Sequence, residues 1–323
     1  MDGEPINPFD PESLRQMWEK LGLGPAPDFS DPAAVISSMQ GLLGQMPSNL
    51  NAQETVRDVA RKTVSVAGPD PTPGLAARNK LQDASRLAQH WLDEATAFKT
   101  ESVGVQVWSR AEWVEATLPV WRNITEPIAE NLGRAMSGLT ATDDVPAEFA
   151  ALGQMVGPML AQSAGNMYSL NSGQALGRLA ASVLSGTDVG MPLLPPGPPA
   201  FLPTNISEFS QDRETAEDDV LHYLALRECA RHRLFENTAW LGPQMVALLR
   251  HFATKIEIDL SAIMDNLDPE AMAAADMTEM LKLGEAMSGK LFKPTSTPEQ
   301  TEIADRLQTL LALIEGWVDH VVE

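Results

Sequence analysis

From Leu75 onward the apolar residues settle into steps of three and four. Leu81, Ala84, Leu87, Trp91, Ala95 and Phe98 fall on one face of a helix. Ser109 and Glu112 form a capping box, each satisfying a free amide of the other. The helix they open carries Trp113, Trp121, Ile124 and Ile128, and Pro119 and Pro127 should kink or break it. Trp108, Trp113 and Trp121 predict an aromatic cluster in the core. Gly153, Gly157, Gly173 and Gly177 form two pairs four residues apart, with Gly165 between the pairs. In lipid that spacing favours dimer packing. Here it points to soluble helices crossing where side chains are absent. The segment TDVGMPLLPPGPPAFLPTN (187–205) reads as an extended loop with at most a small hairpin.

Helices follow from about Arg213 to Glu236 and from Pro243 to Ile256, and a last one runs from Pro298 to the end. The last is well marked. Thr297 caps it, Pro298 occupies the first turn and Gln300 completes a capping box. Ile303, Leu307, Leu310, Ile314, Val318 and Val321 form its stripe. The stripe runs to Glu323 without a capping glycine, which suggests that the chain is cut short there.

Strand signals are scarce, and the fold class is all-α. The N-terminal 72 or so residues are rich in Pro, Gly, Asp and Ser, with short helical stretches around Pro11–Leu21 and Pro32–Leu43. GPDPTPG (68–74) reads as a linker. Three regions follow: a loosely ordered arm and linker over 1–74, a helical domain over 75–186, and a second helical domain over 187–323 that carries the candidate chemistry.

Composition narrows the function. The chain of 323 residues carries a net charge of −21, which repels phosphate backbones and anionic lipid. Nucleic acid and membrane are therefore set aside as partners. No apolar run approaches the roughly 20 residues needed to span a bilayer, and the N-terminus has no secretory pattern. The single cysteine, Cys229, rules out an internal disulfide and makes a reducing, cytoplasmic setting the default. No G-x-S-x-G elbow or phosphate-binding loop is present.

Two segments carry candidate chemistry. In the first, Leu221, Ala225, Glu228, His232 and Phe235 share a helix face, so an acid and an imidazole interrupt an apolar stripe. Burying that acid is costly unless it is paired or bound to a metal. The second is LLALIEGWVDH, where Glu315 and Asp319 lie one turn apart. Gly316 weakens that helix by about 1 kcal/mol relative to Ala, and makes sense where a backbone or ligand comes close.

The runs WSRAEWVEATLPVWRNITEPIAENLGRAM, GQALGRLAASVLSGTDVGMPLLP, YLALRECARHRLF and LLALIEGWVDHVV, in this order, resemble the zincin-like hydrolase family of actinobacteria, whose members are often labelled zinc-dependent metalloproteases. The resemblance covers roughly residues 75–323. It implies a zincin-like helical fold, zinc as cofactor and cleavage of an amide bond in a peptide-like substrate. Zincins of the glutamate-ligand class bind zinc through HExxH on one helix and ExxxD on another. Carried over, Glu228 takes the general-base place, Glu315 the third-ligand place, and Asp319 the place that orients a ligand histidine. Both histidine places differ: they hold Arg227 and Arg231. Arginine stays protonated and cannot ligate zinc. His232 is the nearby imidazole, but one residue is about 100° around the helix. Two readings stay open. One is a zinc site rebuilt with His232 and Glu315. The other is an ionic cluster of Arg227 and Arg231 with Glu315 and Asp319, which keeps the fold while hydrolysis is reduced or lost and leaves the old cleft to a protein partner.

Overall fold

Ser109 with Glu112 and Thr297 with Gln300 open two of the helices by satisfying free amides. A computed structural model describes residues 52–138, 165–194, 197–211, 215–256 and 297–323, together with residues 15, 25–29, 34 and 38. The expected helices around Pro11–Leu21 and Pro32–Leu43 fall almost wholly outside the described residues, as do Gly153 and Gly157. The elements are α1 (Ala52–Ala67), α2 (Leu75–Ala95), β1 (Gln106–Val107) and α3 (Arg110–Gly138). A helix over 165–180, called α4, comes next. Then follow β2 (Ala200–Phe201), α5 (Pro203–Gln211), α6 (Glu217–Asn237), α7 (Leu241–Thr254) and α8 (Pro298–Val322). The architecture is helical, with one two-residue strand pair. By internal contacts, the described residues from 52 to 256 and from 297 to 323 belong to one compact unit. No helix among the described residues is long and apolar enough to cross a membrane.

Both capping boxes are present. Ser109 N donates to Glu112 Oε2 at 2.7 Å and Glu112 N to Ser109 Oγ at 3.2 Å. Thr297 N donates to Gln300 Oε1 at 2.9 Å and Gln300 N to Thr297 Oγ1 at 3.1 Å. A second carboxylate reinforces the start of α3. Asp70, in the proline-rich 68–74 stretch, accepts from Arg110 N at 2.8 Å and Ala111 N at 2.9 Å. The sequence reads that stretch as a linker, yet it closes a helix end.

α3 continues through both prolines. A proline at position i leaves the carbonyl at i−4 without its helical donor. For Pro127 that carbonyl belongs to Asn123, and Arg250 of α7 donates to it at 2.7 Å. For Pro119 the orphan carbonyl belongs to Glu115, an exposed residue.

Two apolar clusters form the core. One joins Ala60 and Val64 of α1 to Trp113 and Val114 of α3, to α4, α7 and Ile314 of α8. Trp108 and Trp121 pack against it, so the tryptophans build core as expected. Residues 52–67, which the sequence places in the N-terminal arm, thus form a helix seated in the core. The other cluster joins Leu81, Ala84, Ala88 and Leu92 of α2 to Leu221, Ala225 and Cys229 of α6 and Val318 of α8. Trp317 touches both. The buried face of α2 is shifted by one residue from the expected stripe. Leu81, Ala84, Ser85, Ala88 and Leu92 are buried, while Trp91 is largely exposed. Small residues at 84, 85 and 88 let α2 lie close on α6. Phe98 falls beyond the helix and stacks on Trp317, with centroids 5.3 Å apart.

The strands are β-sheet in miniature. β1 pairs in parallel with β2, in the register Gln106 to Ala200 and Val107 to Phe201. On the other edge of β2, Gly186 N donates to Ala200 O and Leu202 N to Leu184 O. This holds the 184–190 turn over α6. Gly190 closes the turn at φ +78°.

Gly173 and Gly177 behave as their spacing implies. A Cβ at Gly177 would lie 2.6 Å from Ala60 O and from Thr63 Cβ, and one at Gly173 would lie 2.7 Å from Val56 O. α4 therefore crosses α1 backbone to backbone. Gly177→Ala is expected to destabilise the protein by about 1–3 kcal/mol through overpacking. Gly316→Ala, at a helical site with nothing within 4 Å, is expected to stabilise it by about 0.5–1 kcal/mol. Urea denaturation of the two variants checks both signs.

Candidate functional site

α6 is unusual because charged residues occupy several of its buried faces. Glu228, Arg231 and Arg233 are all buried. Each is held by a different element.

Arg227 and Arg231 lie one turn apart and face α8. Arg231 meets Glu315 fork to fork, Nε to Oε1 at 2.7 Å and NH2 to Oε2 at 2.8 Å. Arg227 donates to Glu315 Oε2 and also to Asp319 Oδ1. Its guanidinium sits 5.7 Å from the centre of the Tyr223 ring. A planar guanidinium is made for such paired contacts with a carboxylate. Burial alone pushes the Glu315 carboxyl up, but Arg231 and Arg227 together hold it below the ordinary carboxylate range. Burial likewise opposes the charge on Arg227, which Asp319, Tyr223 and Glu315 outweigh. The expected cluster of Arg227, Arg231, Glu315 and Asp319 is thus one connected network. Gly316 beside it has no neighbour within 4 Å, so no backbone approach explains that glycine.

Glu228 stands apart from the network. It is only 1% exposed, and its hydrogen bonds come from neutral donors in the 184–190 turn. Ser185 Oγ donates to Oε2 at 2.7 Å, Thr187 Oγ1 at 2.5 Å and Thr187 N at 3.3 Å. Among the described residues no hydrogen bond or ion pair links Glu228 to Arg227, Arg231, Glu315 or Asp319. The arginines face α8, while Glu228 is held by the turn. His232 follows Glu228, not Glu315. Its Nδ1 lies 3.6 Å from Glu236 Oε1.

Glu228, His232 and Glu236 line one cleft of about 890 Å³, bounded by the turn, the 192–200 segment and α7. Pro192, Leu194, Phe235 and Val246 form apolar wall, and Thr187 contributes beside Glu228. His232 Nδ1 and Glu236 Oε2 are buried with no hydrogen-bond partner among the described residues. Ser102 Oγ donates to Glu236 Oε1. Sequence reasoning missed Glu236, although it continues the 228–232 spacing by one more turn. It also missed Ser185 and Thr187, which carry no local signal.

Arg233 completes the set. It donates to Gln89 Oε1 and O at 2.7 and 2.9 Å and to Phe98 O at 3.0 Å, and pairs with Asp93 at 3.0 Å. It ties the end of α2 to the chain leading into β1. Cys229 is fully buried against α2, with Sγ 3.3 Å from Ser85 Oγ. Burial pushes its thiol up to about 12, so it is not a poised nucleophile.

The family model for zincin-like metallopeptidases matches residues 52–323. A crystal structure from Chloroflexus aurantiacus, titled a "putative hydrolase with a novel fold", superposes with a TM-score of 0.51 at 19% identity. The alignment covers 83% of this chain and 67% of that one, and it shows shared fold. A search of curated proteins found no match. The family's zinc does not fit the residues present here. The two histidine places hold arginines, and both oxygens of the remaining ligand carboxylate are bonded to guanidinium. Among the described residues, no three His, Cys, Asp or Glu side chains are grouped to hold a metal ion. The chain, matched from α1 through its last helix, belongs to the zincin-like metallopeptidase family.

Proposed function

We propose that this chain is a zinc-independent member of its family, a binding protein in which guanidinium replaces the metal and zinc-assisted amide hydrolysis is absent. The observation that carries this reading is the occupation of Glu315. Its carboxylate accepts a two-bonded fork from Arg231 and a third contact from Arg227. A divalent ion and a guanidinium meet the same need, a positive charge that compensates acids between packed helices. Arginine meets it permanently, since it does not deprotonate in proteins. The binding surface assigned to the protein is the cleft along Glu228, His232 and Glu236. Its volume lies in the range of small-molecule sites, and it opens on the other side of α6 from the arginines.

Metal analysis tests the replacement. Protein purified without chelators is expected to hold far less than one zinc per chain, with no change in Glu315→Ala. Stoichiometric zinc that disappears in Glu315→Ala sinks the reading.

Stability measurements test the ion-pair network. Arg231→Ala leaves Glu315 partly unpaired and is expected to cost about 1–3 kcal/mol. Arg231→Lys should recover only part, because an ammonium cannot form the fork. Because the folded Glu315 carboxyl titrates below its unfolded value, its contribution is present above about pH 4.3 and is lost as the pH falls through the folded value. The stability gap between wild type and Glu315→Gln should therefore be widest at neutral pH and close in acid, as followed by urea denaturation.

A further inference from the structure

Neither Glu228 nor Glu236 of the cleft is paired with a Lys or Arg among the described residues, and His232 Nδ1 lies 3.6 Å from Glu236 Oε1. Glu228 is buried, and the groups bonded to it are hydroxyls and one amide. Neutral donors solvate a carboxylate but leave its charge uncompensated, which is costly at such depth. Two cationic residues line the cleft, Lys99 and Arg250. Lys99 is turned to Asp93, with Nζ 3.5 Å from the carboxylate and bonded to the backbone carbonyl at 3.3 Å. Arg250 is engaged by Asn123 and Glu126. Farther along the same face, Glu236 Oε2 and His232 Nδ1 are buried and unbonded among the described residues. The cleft thus presents acceptors in a row, with apolar wall around them.

The spacing of the row selects among cations. Glu228 and Glu236 are eight residues apart, about 12 Å along the helix axis at 1.5 Å per residue. A single ammonium cannot reach both. A linear molecule with a cationic nitrogen at each end can. His232, with Nδ1 3.6 Å from Glu236 Oε1, belongs to the Glu236 end of the row, and the intervening methylenes can lie on Leu194, Phe235 and Val246.

We propose that the cleft binds a linear aliphatic polyamine, with its terminal ammonium groups on Glu228 and Glu236 and its methylene chain on the apolar wall. This rests on the reading of the cleft as a binding site, but its test is independent of the zinc measurement. A zinc-bearing protein would overturn that reading whatever the titrations below give.

Titration calorimetry on the full chain at fixed ionic strength tests the assignment, with spermidine as the probe. Hexylammonium, hexanol and hexanoate serve as single-charge, neutral and anionic controls. Spermidine is expected to bind saturably at one site, hexylammonium at least tenfold more weakly, and hexanol and hexanoate more weakly still. Glu236→Gln and Glu228→Gln should each weaken spermidine on the order of tenfold, as loss of a charge-assisted contact implies. Glu228→Gln removes a buried charge and could disturb the turn. Ala247→Trp therefore provides a second block, from an exposed helical position on the cleft lining, and it should abolish the site. Glu302→Gln, an exposed acid on α8, should change nothing. The proposal fails if spermidine and hexanol bind alike, if Glu236→Gln and Ala247→Trp leave spermidine affinity intact, or if Glu302→Gln weakens it as much as they do. That last outcome would mark diffuse attraction to an acidic surface.

Discussion

The structure turns on the problem of burying a charged helix. α6 packs against α2, α5 and α8, yet carries Arg227, Glu228, Arg231 and Arg233 on consecutive turns. Charges removed from water need local compensation, and a cluster that loses one partner leaves the other exposed to the full desolvation cost. The charges on α6 recruit three different neighbours. Arg231 and Arg227 draw in the acids of α8. Arg233 collects carbonyls and an amide from the end of α2 and the chain after it. Glu228 draws in the 184–190 turn, which β2 holds in place. The positions of four elements are thus set by what α6 must satisfy as well as by apolar packing.

This arrangement separates two things that the family motif keeps together. In a zinc site the ligands and the general base converge on one ion. Here the residues at the ligand places close on α8, and the acid at the base place looks the other way, into a cleft. Guanidinium groups take both oxygens of Glu315, and the hydroxyls of the turn take Glu228. The arginines seal one side of α6, and the acid is free to serve the other.

Much of this was legible in the sequence because it depends on local pattern. The capping boxes at Ser109 and Thr297, the stripe of α8, the tryptophan core and the close glycine crossing at 177 follow from spacing alone. The pairing of Arg227 and Arg231 with Glu315 and Asp319 was legible only through the family resemblance, which sets the two motif helices against each other. What escaped depends on tertiary partners. The face of α2 is shifted because alanines, not its largest residues, meet α6. Pro127 leaves α3 unbroken because a guanidinium from α7 takes the place of the missing amide. Ser185 and Thr187 reach Glu228 only because a two-residue strand carries their turn there. Asp70 looked like loop composition and is a helix cap.

The crossing of α1 and α4 bears on where this protein can be divided. Two glycines carve a trough in α4, and the backbone of α1 fills it. A fragment beginning after the proline-rich stretch would keep every residue of the arginine network and of the cleft. It would also expose that trough and the apolar side of α3 beneath it. Such a piece would be adhesive, ready to accept any passing helix of small residues, its own copies included. The segment that looks most dispensable on paper is therefore a plug for the scaffold, although it lies far from any of the chemistry.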